Sequence, residues 1–396
     1  MSTRTTRTVR RPVPLDVDAL LDDPATRVVV CCGSGGVGKT TTAAALGLRA
    51  AERGRRVVVL TIDPARRLAQ SMGLVELDNS PRPVKGADTA AGGSLDAMML
   101  DMKRTFDEVI EAHATPEKAA QILANPFYQA LSSSFAGTQE YMAMEKLGQL
   151  RTRAEAAKAA GRDDEAWDLI VVDTPPSRSA LDFLDAPQRL GSFLDGRFIR
   201  ILTAPAKASG RAYLKVVSVA VGTAGNVMTK ILGAGFLSDV QTFVSALDTM
   251  FGGFRERADR TYRLLQQSGT AFVVVAAPEP DALREASYFV ERLGAERMPL
   301  AGLVLNRVHV ALAEELSAER AWAAAEDLDD VRGQALTAGL LRVHADRMHR
   351  RDRDRALAAR FTSAHPSVPV VEVPARAEDV HDLEGLRAVG ADLAKG

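Results

Sequence analysis

Cysteine is nearly missing from the chain. Only Cys31 and Cys32 occur in 396 residues, and they are adjacent. Neighbours on a strand point to opposite faces, so no bridge between them is expected. Two small buried apolar side chains on a core strand are expected instead. A disulfide-built fold is excluded, and a reducing cytoplasm is the natural setting. Charge bias is missing too: 50 Lys plus Arg face 51 Asp plus Glu. Nothing in that balance draws the chain to nucleic acid or to an anionic membrane. A membrane-spanning run is also absent. Residues 212–237 come nearest, but Lys215, Asn226 and Lys230 interrupt them. The gap between the two lysines is shorter than the roughly 20 residues a span needs. Met1–Pro12 is rich in Thr and Arg and lacks the apolar core of a secretion signal. A basic, disordered tail is expected over residues 1–24.

What remains is a chain with 46% hydrophobic residues, enough for a sizeable core. Residues 27–32 (RVVVCC) read as a buried parallel strand, and the glycines that follow end it. Lys39–Arg53 has helical spacing and is closed by Gly54. Arg56–Ile62 (RVVVLTI) is a second buried strand, so the order is β, glycine loop, α, β. Residues 168–172, 271–276, 300–305 and 368–373 repeat the pattern and end at Asp173, Ala277, Asn306 and Pro374. Buried strands alternating with helices predict an α/β fold, a mainly parallel sheet covered by helices on both faces. Residues 25–396 are expected to form that domain. Two stretches that look wholly helical interrupt it, at about 94–161 and 186–269. A third, at about 310–361, is dense in Arg, Glu, Asp and Ala and predicts exposed helices laced with ion pairs. His344 and His349 lie within it and do not share a helical face, so both are expected on the surface.

The strongest motif is Gly33-Ser34-Gly35-Gly36-Val37-Gly38-Lys39-Thr40, which fits G-x-x-x-x-G-K-[ST] between a strand and a helix. Glycines let backbone N–H groups turn inward around phosphate oxygens. The helix begun at Lys39 aims its positive end at the same point. Lys39 is expected on the β- and γ-phosphates of ATP. Thr40 is expected to hold Mg²⁺ through its hydroxyl, and Thr41 to add a further contact. Two carboxylates end buried strands at the same sheet edge, where open α/β sheets bind ligands. Asp173 is expected to hold Mg²⁺ through water. Asp63, in Thr61-Ile62-Asp63-Pro64-Ala65, is placed to orient or activate a hydrolytic water. Pro64, Pro175 and Pro176 stop their strands and open loops able to sense the γ-phosphate.

These residues resemble the arsenical pump-driving ATPase family, which includes the cytosolic ATPase that guides tail-anchored membrane proteins. Ser34 through Thr41 looks like its deviant phosphate loop. Asp63-Pro64-Ala65 is similar to its first switch segment, and Asp173-Thr174-Pro175-Pro176-Ser177 to its second. Asn306, ending LVLN, matches the asparagine that recognises adenine in the family. The nucleotide-binding set is therefore Gly35, Gly36, Val37, Gly38, Lys39, Thr40, Thr41 and Asn306. The resemblance implies ATP hydrolysis with Mg²⁺ in a face-to-face dimer, Asp63 polarising the attacking water. It also implies that the helical insertions open and close around hydrophobic or membrane-associated client proteins. A regulatory nucleotide switch and an anion-transport-driving ATPase are the alternatives.

Three departures bear on that reading. The family's signature lysine, which crosses to the partner's phosphates, is replaced by Ser34. Either hydrolysis is slow, or another residue substitutes, or the working dimer contains a lysine-bearing relative. Two cysteines beneath the phosphate loop do not make the thiolate cluster a soft metalloid needs. No C-x-x-C is present, so the zinc that joins the eukaryotic targeting dimer has no counterpart. Met98, Met99, Met102, Phe106, Met142, Met144, Met228, Met250, Phe251 and Phe254 gather in the insertions. They suit either an ordinary core stripe or a hydrophobic client groove.

Overall fold

The structure is a computed structural model and describes residues 13–63, 67–74, 76–125, 128–129, 139–162, 165–175, 256–311 and 313–396. Eight strands are described: β1 Val28–Gly33, β2 Arg56–Thr61, β3 Arg82–Pro83, β4 Ser94–Met99, β5 Leu169–Asp173, β6 Thr270–Ala276, β7 Leu300–Val308 and β8 Val370–Pro374. They form one sheet in the order β3-β4-β2-β5-β1-β6-β7-β8, parallel except for the edge pair β3–β4. The glycine loop follows β1, which lies between β5 and β6.

The strand residues explain their own placement. Val29, Cys31, Val57, Val59, Leu169 and Val171 share one core with the helix Lys39–Glu52 that follows β1. The alternate set, Val28, Val30, Val58, Leu60, Ile170 and Val172, is equally buried. A strand buried on both faces reads as a continuous apolar run, which is what these segments show. The helices in chain order are α1 Val17–Asp22, α2 Lys39–Glu52, α3 Arg67–Ser71, α4 Met102–His113, α5 Pro116–Leu123, α6 Gln139–Ala159, α7 Pro280–Ala295, α8 Ala318–Asp329, α9 Ala335–Ala364 and α10 Leu383–Leu393. Residues 256–265 are helical as well. α2 is alanine-rich and buried nearly all round, packed on the sheet and on α10.

Two expectations need correction. Residues 94–99 are a strand, β4, paired in parallel with β2 from Arg56↔Ser94 to Thr61↔Met99. Ala and Met favour helix, but a sheet edge offers a full hydrogen-bond ladder, and that tertiary partner overrides propensity. Met98 and Met99 therefore lie on a strand and share no helical face with Met102. Second, residues 13–24 are not tail. Leu15 N–H donates to Val370 O, and Val370 N–H to Val13 O, beside β8. Leu15, Val17 and Leu21 are buried, and Asp18 of α1 pairs with Arg49 of α2. Residues 1–12 lie outside the described residues.

The chain divides into two compact units. The sheet unit comprises residues 1–99, 162–180 and 265–396, and the second residues 100–161 and 181–264. Within the second unit the described elements are helical. Met142 and Met144 of α6 are buried, and Phe106 packs its ring on Tyr128 at 5.6 Å. Lys146 of α6 binds Glu108 of α4 at 2.9 Å. The remaining residues of the Met-rich set, Met228, Met250, Phe251 and Phe254, lie outside the described residues, as does the expected insertion up to residue 255. In the sheet unit α8 and α9 pack as a hairpin. Arg342 pairs with Asp329, and Arg351 with Glu314. The hairpin leaves Trp322, Leu336, Leu340 and Val343 exposed. His349 is exposed, whereas His344 is half-buried with Nε2 at 2.7 Å from Leu316 O.

Candidate functional site

The site is built where β1, β2 and β5 end side by side. Register sets Asp173 beside Cys31 on one strand and Thr61 on the other. Asp173 is fully buried. Its Oδ2 accepts the hydroxyls of Thr40 at 2.7 Å and Thr61 at 2.9 Å. Its Oδ1 is buried with no hydrogen-bond partner among the described residues. Burial raises its pKa to about 6, against the pull of Thr40, Thr61 and Lys39. Lys39 is buried, which lowers its own pKa while Asp173 holds it up. Its Nζ donates to the Ser34 carbonyl at 2.8 Å.

Asp63 stands past the end of β2 and is partly exposed. Its backbone N–H donates to Thr61 Oγ1 at 3.2 Å. One hydroxyl thus joins the segments that carry the two carboxylates. Thr61 carries no motif of its own; its signal in the sequence is a hydroxyl residue ending an apolar strand two positions before Asp63. Pro64, Ala65, Pro176 and Ser177 lie outside the described residues.

The loop itself has the geometry of an anion cradle. Gly36 and Gly38 hold φ of +77° and +94°, a region costly for residues with a Cβ. A Cβ on Gly38 would meet Asn306 Nδ2 at 2.2 Å, whereas one on Gly36 would meet nothing within 4 Å. Gly38→Ala is therefore expected to weaken nucleotide binding at least about tenfold more than Gly36→Ala, the steric conflict adding to a shared backbone cost of about 1–2 kcal/mol. Titration of both variants with ADP checks this. Equal losses would mean that Asn306 yields.

Asn306 ends the apolar part of β7. Its Nδ2 donates to Val37 O at 2.8 Å, and its Oδ1 accepts the Arg307 N–H at 2.9 Å. Asn306, Thr41 and Gly38 line a cleft of about 930 Å³, together with residues after β6, β7 and β8 and from α9. Ser34 is buried, and its hydroxyl has no partner among the described residues. Cys31 and Cys32 are free and buried, and burial pushes the Cys32 thiol up to about 12.

The donor set fits Mg²⁺ on one particular. A buried carboxylate keeps an oxygen without a partner among the described residues, beside a threonine hydroxyl, and hard divalent cations take oxygen ligands. Two protein oxygens suit an ion that keeps water and phosphate in its other positions. Among the described residues no group of three or more His, Cys, Asp or Glu could hold a metal without such help.

Comparison with known proteins gives concordant results. The profile of the family described as "Anion-transporting ATPase" matches residues 26–328. "ATPase GET3" of Malassezia globosa is 30% identical over 186 residues, 47% of this chain and 50% of that protein. "ATPase GET3" of Podospora anserina is 24% identical over 295 residues, 74% of this chain and 76% of that protein. "ATPase BagA" of Mycobacterium tuberculosis is 22% identical over 378 residues, 93% of each. The match to the Malassezia protein thus spans about half of that relative's length. No helix among the described residues is long and apolar enough to cross a membrane.

Proposed function

Because the chain belongs to the anion-transporting ATPase family, we propose that it hydrolyses ATP as a nucleotide-switched cytoplasmic dimer handling hydrophobic or membrane-associated client proteins. One observation carries the catalytic part. A single buried carboxylate, Asp173, takes hydroxyls from the phosphate-loop helix and from the strand leading to Asp63. Charge at the phosphates and position of the hydrolytic residue are thereby linked.

In this reading the loop amides and Lys39 bind the phosphates, and Asn306 faces the nucleoside. Thr40, and Asp173 through water, would hold Mg²⁺, which would neutralise phosphate charge when bound. Asp63 takes the proton of the attacking water as general base. Metalloid export is disfavoured, because burial keeps both cysteines as thiols. The client role rests on family membership and on the helical second unit.

Ser34 favours one refinement. The family's trans-acting lysine is missing, and the buried Ser34 hydroxyl supplies no charge to a partner's phosphates. We place the missing cation on a lysine-bearing relative in a heterodimer. The test is phosphate release by the purified chain, alone and mixed with such a relative. A cation on the transferring group is worth about 10³-fold or more, so the mixture should exceed the sum of its parts by roughly that factor. Ordinary turnover by the chain alone would sink the heterodimer. No turnover in either, with ATP still bound, would favour a regulatory switch.

A further inference from the structure

The cleft beside the phosphate loop contains a histidine–carboxylate pair that the proposed reaction does not use. His309 follows the end of β7, and Asp354 lies on α9. The Asp354 side chain is only 6% exposed, against 37% for His309. Asp354 Oδ2 accepts the His309 backbone N–H at 2.8 Å and meets the ring Nδ1 at 2.8 Å. A carboxylate only accepts, so in the neutral ring the proton lies on Nδ1 and Nε2 keeps the lone pair. One bond to the buried anchor holds the His309 backbone and the other orients the ring. Both residues line the same cleft as Gly38, Thr41 and Asn306. With Nδ1 turned to Asp354, Nε2 is the nitrogen left for the cleft.

The backbone supports the same assignment. Arg307 holds φ of +62°, in the left-handed region, although it is not glycine. There the register of β7 against β8 shifts between Asn306 and Val308. Such bulges re-aim side chains beside functional sites, and local strain tends to persist where function requires it. The turned strand end contributes Asn306, Arg307 and His309 to the cleft lining. Asp354 comes from a helix beyond residue 328, where the family match ends.

We propose that His309, held by Asp354, is a nucleoside-specificity residue whose Nε2 accepts a hydrogen bond from a donor on the nucleoside. The donor is a ribose hydroxyl or the exocyclic amine of the base. This rests on the cleft being the nucleotide site proposed above. It explains why the anchor is a carboxylate, since an amide there could donate to Nδ1 and leave Nε2 a donor.

Calorimetric titration of the full chain with Mg²⁺ and ADP, 2′-deoxy-ADP, 3′-deoxy-ADP or IDP tests it. His309→Phe is expected to bind ADP about tenfold more weakly than wild type. The one analogue that lacks the contacted donor should bind both proteins alike. A deoxy analogue in that role identifies the ribose, and IDP identifies the amine. His309→Gln, which keeps an acceptor, should recover part of the loss. ADP affinity of His309→Phe within about twofold of wild type would overturn the proposal, being under 0.5 kcal/mol. So would equal losses for all four nucleotides. Should the phenylalanine variant fail to fold, His309→Ala is read by the same criteria. Failure of the nucleotide reading looks different: wild type itself would bind none of the four.

Discussion

Asp63→Asn is expected to lower ATP turnover by roughly 10²–10⁴-fold, the usual worth of a general base, while ATP binding stays near wild type. Asparagine has the same shape but cannot take a proton from water. One anchor of the segment is the Asp63 backbone N–H on Thr61 Oγ1, which the substitution leaves in place. Asp63 is partly exposed, so no buried packing is disturbed. Loss should therefore fall on kcat and spare affinity. Steady-state phosphate release beside nucleotide titration separates the two. A variant retaining more than about a tenth of wild-type turnover would remove Asp63 from the role of base.

Asp173→Asn is expected to act in two opposite directions. Turnover should collapse by about 10²-fold or more, because the buried oxygen proposed to serve Mg²⁺ becomes an amide. Stability of the nucleotide-free protein should rise. Burial lifts the Asp173 pKa from 3.8 to about 6. Between those values the folded chain binds more protons than the unfolded chain, so stability falls as pH rises through that window. Above about pH 6 the folded state holds this charge at a cost on the order of 3 kcal/mol, the worth of a shift of that size. Asparagine avoids the charge while its amide oxygen still accepts from Thr40 and Thr61. At pH 7.5 the variant should melt higher than wild type, and at pH 4 the difference should shrink. Thermal scans at both values, without nucleotide or Mg²⁺, decide it. A variant that melts lower at pH 7.5 would mean that the two threonine bonds to the carboxylate outweigh its desolvation. Such a trade of stability for function is common at active sites.

The central strands were legible because both faces of each are buried, leaving continuous runs such as VVVCC and RVVVLT that few other structures tolerate. The phosphate loop was legible because its backbone geometry admits only glycine at Gly38. Asp63 and Asp173 could be read together because each follows such a run, and parallel strands deliver their carboxyl ends to one edge. The edges were less readable. Leu95, Asp96, Ala97 and Met98 carry no strand propensity of their own, and β2 had to be in place before β4 could form. Leu15, Val17 and Leu21 sit among Arg and Asp, so their burial depends on α2 and on β8, which arrives much later in the chain. Thr61 and the pair His309–Asp354 were unreadable for a similar reason, being single polar residues whose partners are far away in sequence.

By itself, then, the sequence determined the central strands, the phosphate loop and the residues at the strand ends, because local geometry and continuous burial restrict residue type at each position. The tertiary structure alone decided which hydroxyls meet Asp173, which carboxylate holds His309, and where the sheet ends. Those contacts join segments far apart in the chain, and a contact between distant segments leaves no periodic trace in either one.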